Sequence, residues 1–320
     1  MTMTKNETAA LRTVKKYRAR VDDAEAEAMR YLAKRYIRMT DEISVAFRKM
    51  LKADSQEPLH LRYTRSVRPL IAASFRSYRK EAEKTMTDLS KKTAHLGVRS
   101  VNESARAIIH DDTQDWKNIS IAGLFTGKLF TASKDALNKL PGAILQKLDE
   151  LASAAASSLD KGVDWIMSQL GDVLSGAWRG IQRIVRTAAE QIFRNAQQNQ
   201  RKQTPVRNWR RVANHETACL ACLLLEGTIY DREEDFSDHP NGRCFIVPCE
   251  PGAKPDQPGR QWLEEQDEAT QKKIMGKGRW EAWQNGDLTL DRMTEVRPDP
   301  VYGPQPRVIP LKELGLTPAK

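Results

Sequence analysis

The sequence predicts a mainly α protein: an extended helical arm, a helical middle, a small cysteine-rich module and an extended C-terminal tail. Three observations carry that expectation. Apolar residues recur at helical spacing over long Gly- and Pro-free stretches, all four cysteines fall within residues 219–249, and prolines crowd the last two dozen residues. The composition agrees: 40% of residues are hydrophobic but only 7% aromatic, and the mean hydropathy is −0.62, too polar for a dense sandwich or barrel.

Residues 5–51 read as one helix. Leu11, Val14, Val21, Ala28, Leu32, Met39, Ile43 and Met50 keep one face, while Lys, Arg, Asp and Glu fill most of the rest. So narrow a stripe suits a coiled-coil-like hairpin or a partner's surface. Pro58 and a basic stretch interrupt it, and a second helix is expected to start at Pro69, a favoured first-turn residue, with Ile71, Phe75, Tyr78, Ala82, Met86 and Leu89 along one side. Residues 1–110 form the basic helical arm. Residues 111–200 form a helical domain of three or four helices, broken near Pro141–Gly142, Lys161–Gly162 and Gly171, the last helix running from about Leu174 to Gln198.

After residue 200 the periodicity stops. Residues 201–255 hold the cysteines and end in a Pro- and Gly-rich linker, residues 256–296 return to short helices stopped by glycines, and residues 297–320 form an extended Pro-rich tail. The tryptophans Trp165, Trp178, Trp209, Trp262, Trp280 and Trp283 fall in helical or cap contexts and read as core.

The net charge of +10 is unevenly placed: +11 over residues 1–110, −3 over 111–178, +8 over 179–211 and −6 over 212–320. Basic blocks attract phosphate or acidic protein surfaces without saying which. Arg179, Arg183, Arg186 and Arg194 recur at helical steps and share a side, and Arg201, Lys202, Arg207, Arg210 and Arg211 extend the patch. This is a candidate surface for nucleic acid, bound without sequence preference, or for a partner. A solvated helix face or a contact with the acidic C-terminal block accounts for it equally well. No apolar run is long enough to span a membrane, and the first residues lack the apolar core of a secretory signal.

The strongest chemical signal is Cys219-x-x-Cys222, then His239 after sixteen residues and Cys244 after four more. Zinc takes four tetrahedral nitrogen or sulfur donors, and a C-x-x-C turn sets two thiolates on one side of the ion. The loop LLLEGTIYD between the pairs is hairpin-sized, and a segment with so few apolar groups needs a cross-link to order itself. Two ligand sets fit: Cys219, Cys222, His239 and Cys244, or Cys219, Cys222, Cys244 and Cys249. Either closes the coordination sphere, leaving no position for an activated water, so the site reads as structural.

The run CLACLLLEGTIYD…DHPNGRCFIVP resembles the zinc-binding stretch of the phage head-morphogenesis family, minor head proteins related to protein F of phage Mu. Upstream, RTAAEQIFRNAQQNQ and WRRVANHETAC resemble that family's helix leading into the metal loop. Downstream, QWLEEQDEATQKKIMGKGRWEAWQNGDLTL resembles its trailing segment, so three blocks follow in order over roughly residues 180–295. Some members carry a second cysteine where this chain has Gly242, and Cys249 has no counterpart. The resemblance therefore favours Cys219, Cys222, His239 and Cys244, with a structural Zn²⁺. It also implies a low-copy capsid protein that is not an enzyme. Such a protein is oligomeric within the virion, sits at the capsid interior or portal vertex, and passes through the host cytoplasm during assembly. Its partners are the portal protein, the major capsid protein or both, with non-specific contact to packaged DNA and a role in DNA ejection for some members.

The alternative is a zinc-containing DNA-binding protein or nuclease of phage origin. His239 cannot be both ligand and base, and no second catalytic histidine stands out among His60, His95, His110 and His215. A P-loop-like run from Gly123 to Lys128 has one residue too few between its glycines and Leu129 where a hydroxyl should bind magnesium. The acidic groups Asp111–Asp112 and Glu233–Glu234–Asp235 read as solvated turns.

Overall fold

The computed structural model describes residues 3–111, 113, 116–157, 162–236, 238–239, 242–299 and 303–316. It is mainly helical. Helix α1 spans Lys5–Lys52. Helix α2, Leu59–Arg62, passes through a π-helical turn at Tyr63–Val67 into α3, Arg68–Ile109, and α4 and α5 span Lys128–Ser157 and Gly162–Arg201. The C-terminal third alternates strands β1 (Asn208–Val212), β2 (Ile229–Asp231) and β3 (Phe245–Pro248) with helix α6 (Leu220–Leu224). Helices α7 (Pro258–Glu264), α8 (Glu268–Met275) and α9 (Lys277–Gln284) follow, then strands β4 (Thr294–Asp299) and β5 (Gly303–Val308).

Several expected boundaries move, each for a physical reason. The second helix begins at Leu59, just after Pro58, and Pro69 lies in a helical path that the wide π-helical turn makes continuous. Helix α4 runs through Pro141 and α5 through Gly171, because burial along one side of each outweighs the local cost of those residues. Helix α4 is described to Ser157 and α5 from Gly162; Lys161, at the expected break, lies outside the described residues. The tail is no free extended strand. Strands β4 and β5 pair antiparallel with Val296 opposite Pro306 and Pro298 opposite Pro304, and a two-stranded ribbon leaves each strand an unpaired edge where proline is tolerated. Pro300 and Pro318 lie outside the described residues.

The chain divides into two compact units, and α1, α3 and α5 contribute residues to both. One unit comprises Asp22–Lys92 and Thr126–Ala189 and is helical throughout its described regular elements. Its core holds Leu32, Ile43, Phe47, Ile71, Phe75, Met86, Leu148 and Leu170. Tyr36 packs against Phe75, Tyr78 and Trp178, with ring centroids 5.2–6.4 Å away, and donates its hydroxyl to the Leu174 carbonyl at 2.6 Å.

The other unit comprises Met1–Val21, Thr93–Phe125 and Glu190–Lys320 and contains the whole cysteine module. The three-stranded antiparallel sheet has the order β2-β1-β3, with Arg211 opposite Ile246 and Val212 opposite Phe245. Trp209, Val212, Phe236 and Phe245–Val247 form one core with Ala10 and Val14 of α1 and Val101 and Ala105 of α3. A second core gathers Leu220, Leu223, Leu263, Met275, Leu288, Leu290 and Met293, with Val308 and Leu311 packed on it. The N-terminus of α1 is closed by a capping box: Glu7 N–H donates to Thr4 Oγ1 at 3.1 Å and Thr4 N–H to Glu7 Oε2 at 3.2 Å. Glu7 Oε1 also accepts from the Glu250 N–H at 3.2 Å, tying the start of the chain to the residue after Cys249.

Candidate metal centre

The first cysteine pair is set by a short helix. Cys219 is the extended residue before α6, and Cys222 lies in its first turn, so the two thiols emerge on one side. The segment after α6 is therefore not the hairpin its length suggested. Helix α6 ends in a turn at Gly227, and β2 pairs with β1 instead. The second pair comes from the loop before β3, where the Gly242 N–H donates to the His239 carbonyl at 2.8 Å. Pro240 and Asn241 of the HPN run lie outside the described residues.

Cys219 Sγ and Cys222 Sγ each lie 3.2 Å from His239 Nε2. The donor atoms of Cys219, Cys222 and His239 fall within 4.8 Å of one another, as do those of Cys222, Asp238 and Cys244. Cys219, Cys222, His239 and Cys244 are thus close enough to hold a metal ion. Cys249 belongs to neither group. Its buried thiol lies 3.7 Å from the Val247 carbonyl oxygen and beside Arg210, and burial pushes it up to about 11.

The electrostatics fit a cation. A hydrogen bond with Cys222 draws the Cys219 thiol down to about 4, burial opposing this and His239 reinforcing it. The same bond, another with Cys244 and burial push Cys222 up. A second thiolate is therefore costly until a positive charge sits among the sulfurs. Around the cluster, burial disfavours a charged Asp238, yet Arg211 and Arg194 outweigh it and hold the carboxyl below the usual carboxylate range. Those two arginines exceed Asp238 by one positive charge. Three thiolates around a divalent cation carry one negative charge, which cancels it.

The arginine face separates into unlike parts. Arg179 and Arg183 are exposed. Arg186 is half-buried, its Nε 2.8 Å from Glu25. Arg194 is buried: its Nη1 donates to the Gly242 carbonyl at 2.6 Å and lies 3.7 Å from Asp238. From Glu190 to Arg194 every residue of α5 is buried, so the helix has no solvated face there. Arg201, Arg210 and Arg211 are also buried, and the patch read from spacing does not extend through them. The expected core tryptophans divide likewise. Trp209 is fully buried, while Trp165, Trp178, Trp262, Trp280 and Trp283 are half-buried.

Asp238 is the residue that motif reading passes over, and Arg194 and Arg211 enter the sequence reading only as members of a charged patch. One signal was present: NWRRV places two arginines in a buried strand beside the cysteines, which requires buried counter-charges. The other candidates stay apart from the centre. Ile121–Phe125 of the P-loop-like run is a 3₁₀ turn leading into α4, with no preceding strand among the described residues. Glu234 accepts from the Asp231 N–H at 2.7 Å as part of a surface turn. Asp112 lies outside the described residues. His215 meets Glu226 at 2.5 Å against Trp262 and belongs to neither donor group. Among the described residues no helix is long and apolar enough to cross a membrane.

No family model, curated protein or solved structure matches the chain.

Proposed function

We propose that the chain is a structural minor head protein of a phage, and that Cys219, Cys222, His239 and Cys244 hold a structural zinc ion. The observation that carries this is the convergence of those four donors, in the order and spacing of the motif the sequence resembles, while Cys249 stands apart. Three sulfurs and one imidazole are soft donors suited to zinc, and four protein ligands leave no open position for water. The cluster then fastens β3 and its loop to α6 and performs no chemistry. In this reading the protein is oligomeric and present in few copies at the portal or inner capsid. Its partners are the portal or major capsid protein, with packaged DNA touched non-specifically through Arg179 and Arg183. Assembly takes place in the host cytoplasm.

Metal analysis and virion cross-linking test the proposal. Purified protein is expected to contain one zinc per chain, lost in Cys222→Ser and retained in Cys249→Ser. Wild type with less than about a tenth of an equivalent of zinc after purification without chelator defeats the site. Cross-links from this chain to the portal or capsid protein in purified particles support the head reading, and its absence from particles defeats it. Zinc-loaded protein is expected to leave supercoiled plasmid intact with added Mg²⁺ or Mn²⁺. Nicking that disappears in His239→Ala while zinc remains bound would establish the nuclease instead.

A further inference from the structure

His239, Gly242 and Cys244 all lie against one buried carboxylate, that of Asp238. Asp238 is fully buried at its side chain, and each of its oxygens serves the loop: Oδ1 accepts the His239 N–H at 3.0 Å, and Oδ2 accepts the Cys244 N–H at 3.1 Å. Arg211 Nη2 from β1 donates to Oδ1 at 3.1 Å and approaches Cys222 Sγ at 3.6 Å. Arg194 from α5 lies 3.7 Å from Oδ2 and donates to the Gly242 carbonyl. Gly242 passes so close that a Cβ there would lie 2.1 Å from Oδ2, leaving a side chain no room beside the carboxylate.

We propose that Asp238 is the positioning residue of the metal loop, clamped by Arg194 and Arg211, and that this clamp sets the backbone of both second-pair ligands independently of the ion. Hydrogen bonds from a buried guanidinium and from amides to an ionised carboxylate are the strong kind, and Arg194 adds a buried ion pair where water does not compete. The assignment moves Arg194 from a partner-binding face to support of the centre. It also changes what metal removal does. A loop ordered only by zinc unfolds on chelation, whereas a loop held by Asp238 keeps its course and rebinds the ion. The consequence for metal affinity rests on the zinc reading above; the clamp on the backbone does not.

Two measurements on the full chain separate those claims. Amide exchange of His239 and Cys244 is followed by NMR in chelator-treated protein, and zinc affinity by competition with a chromophoric chelator. Asp238→Asn removes the charge with little change of shape. It is expected to speed Cys244 amide exchange at least about tenfold without metal and to weaken zinc affinity about 10- to 100-fold. The Co²⁺ spectrum should keep its tetrahedral thiolate character, because no ligand is lost. If Asp238→Asn does not fold, Arg194→Lys, which keeps the charge but not the planar fork, is expected to shift both quantities the same way by less. Unchanged amide exchange in the variant overturns the clamp. A Co²⁺ spectrum reporting a lost donor also overturns it, since Asp238 would then be a ligand. Faster exchange in a protein whose wild type binds no zinc leaves the clamp standing and removes the zinc reading.

Discussion

Buried charge is handled residue by residue in this protein, and Arg18 carries the example furthest. Arg18 of α1 is 6% exposed and grips Glu190 of α5 with two hydrogen bonds, its guanidinium 5.8 Å from the centre of the Phe193 ring. The gain from such a pair is largely offset by desolvation, but orphaning one partner leaves a buried charge without an answer. Arg18→Met alone is therefore expected to cost about 3–5 kcal/mol in a urea titration, and Arg18→Met combined with Glu190→Met much less than twice that. Costs that simply add would show that the two side chains are not coupled. Neither partner is visible as special in the sequence, where Arg18 sits among five cations between residues 12 and 20. What singles it out is its place on the buried side, between Val14 and Val21.

At the scale of elements, glycines inside helices act in opposite directions. Gly97 of α3 faces α5 so closely that a Cβ would lie 2.6 Å from the Phe193 carbonyl oxygen and 2.9 Å from Ala196 Cβ. Gly171 of α5 has nothing within 4 Å of its Cβ position. Gly97→Ala is expected to destabilise by about 1–3 kcal/mol through overpacking. Gly171→Ala is expected to stabilise by about 0.5–1 kcal/mol by lowering the entropy lost on folding. Denaturant midpoints with unchanged slopes read both signs, and two shifts of the same sign would refute the packing contrast. The elements also show how far local reading reaches. Helix α1 runs over Lys5–Lys52 against an expected 5–51, because neither glycine nor proline interrupts its apolar stripe. Asp267 and Gly276 bound α8, the aspartate accepting the Thr270 N–H at 2.7 Å and the glycine taking φ of +82°. Pro141 and Gly171 misled as expected breaks because their cost is local while the packing that offsets it is not.

For the molecule as a whole, buried tyrosines set a limit on the alkaline side. Burial, a hydrogen bond to Glu103 and that residue's charge push Tyr17 up to about 12 in one unit. In the other unit, burial raises Tyr36 and Tyr78, and burial with the Asp149 hydrogen bond raises Tyr63. Unfolded tyrosine titrates near 10, so the unfolded chain loses these protons first. The stability the neutral phenols contribute is fully present below pH 10 and is lost as pH rises from about 10 through about 12. Urea midpoints should fall across that window, with tyrosinate absorbance appearing together with loss of far-ultraviolet helical signal. Tyrosinate forming fully while the helices remain intact would contradict the linkage.

The sequence alone determined the helical class, the first long helix, the confinement of the candidate metal donors to residues 219–249 and the two ligand sets that their spacing left open. These features are periodic or local in chain order. Tertiary structure alone decided the rest. It set Cys249 against Val247 and Arg210, and divided an arginine row into exposed Arg179 and Arg183 and buried Arg194. It also drew Asp238 between strand β1 and helix α5. The physical reason is common to all three. Whether a charge or thiol faces water or a buried partner depends on residues far away in sequence: Arg211 lies 27 positions from Asp238, and Arg194 lies 48 from Gly242. No spacing rule encodes such a pairing, because folding must first place the two groups where neither can be solvated without the other.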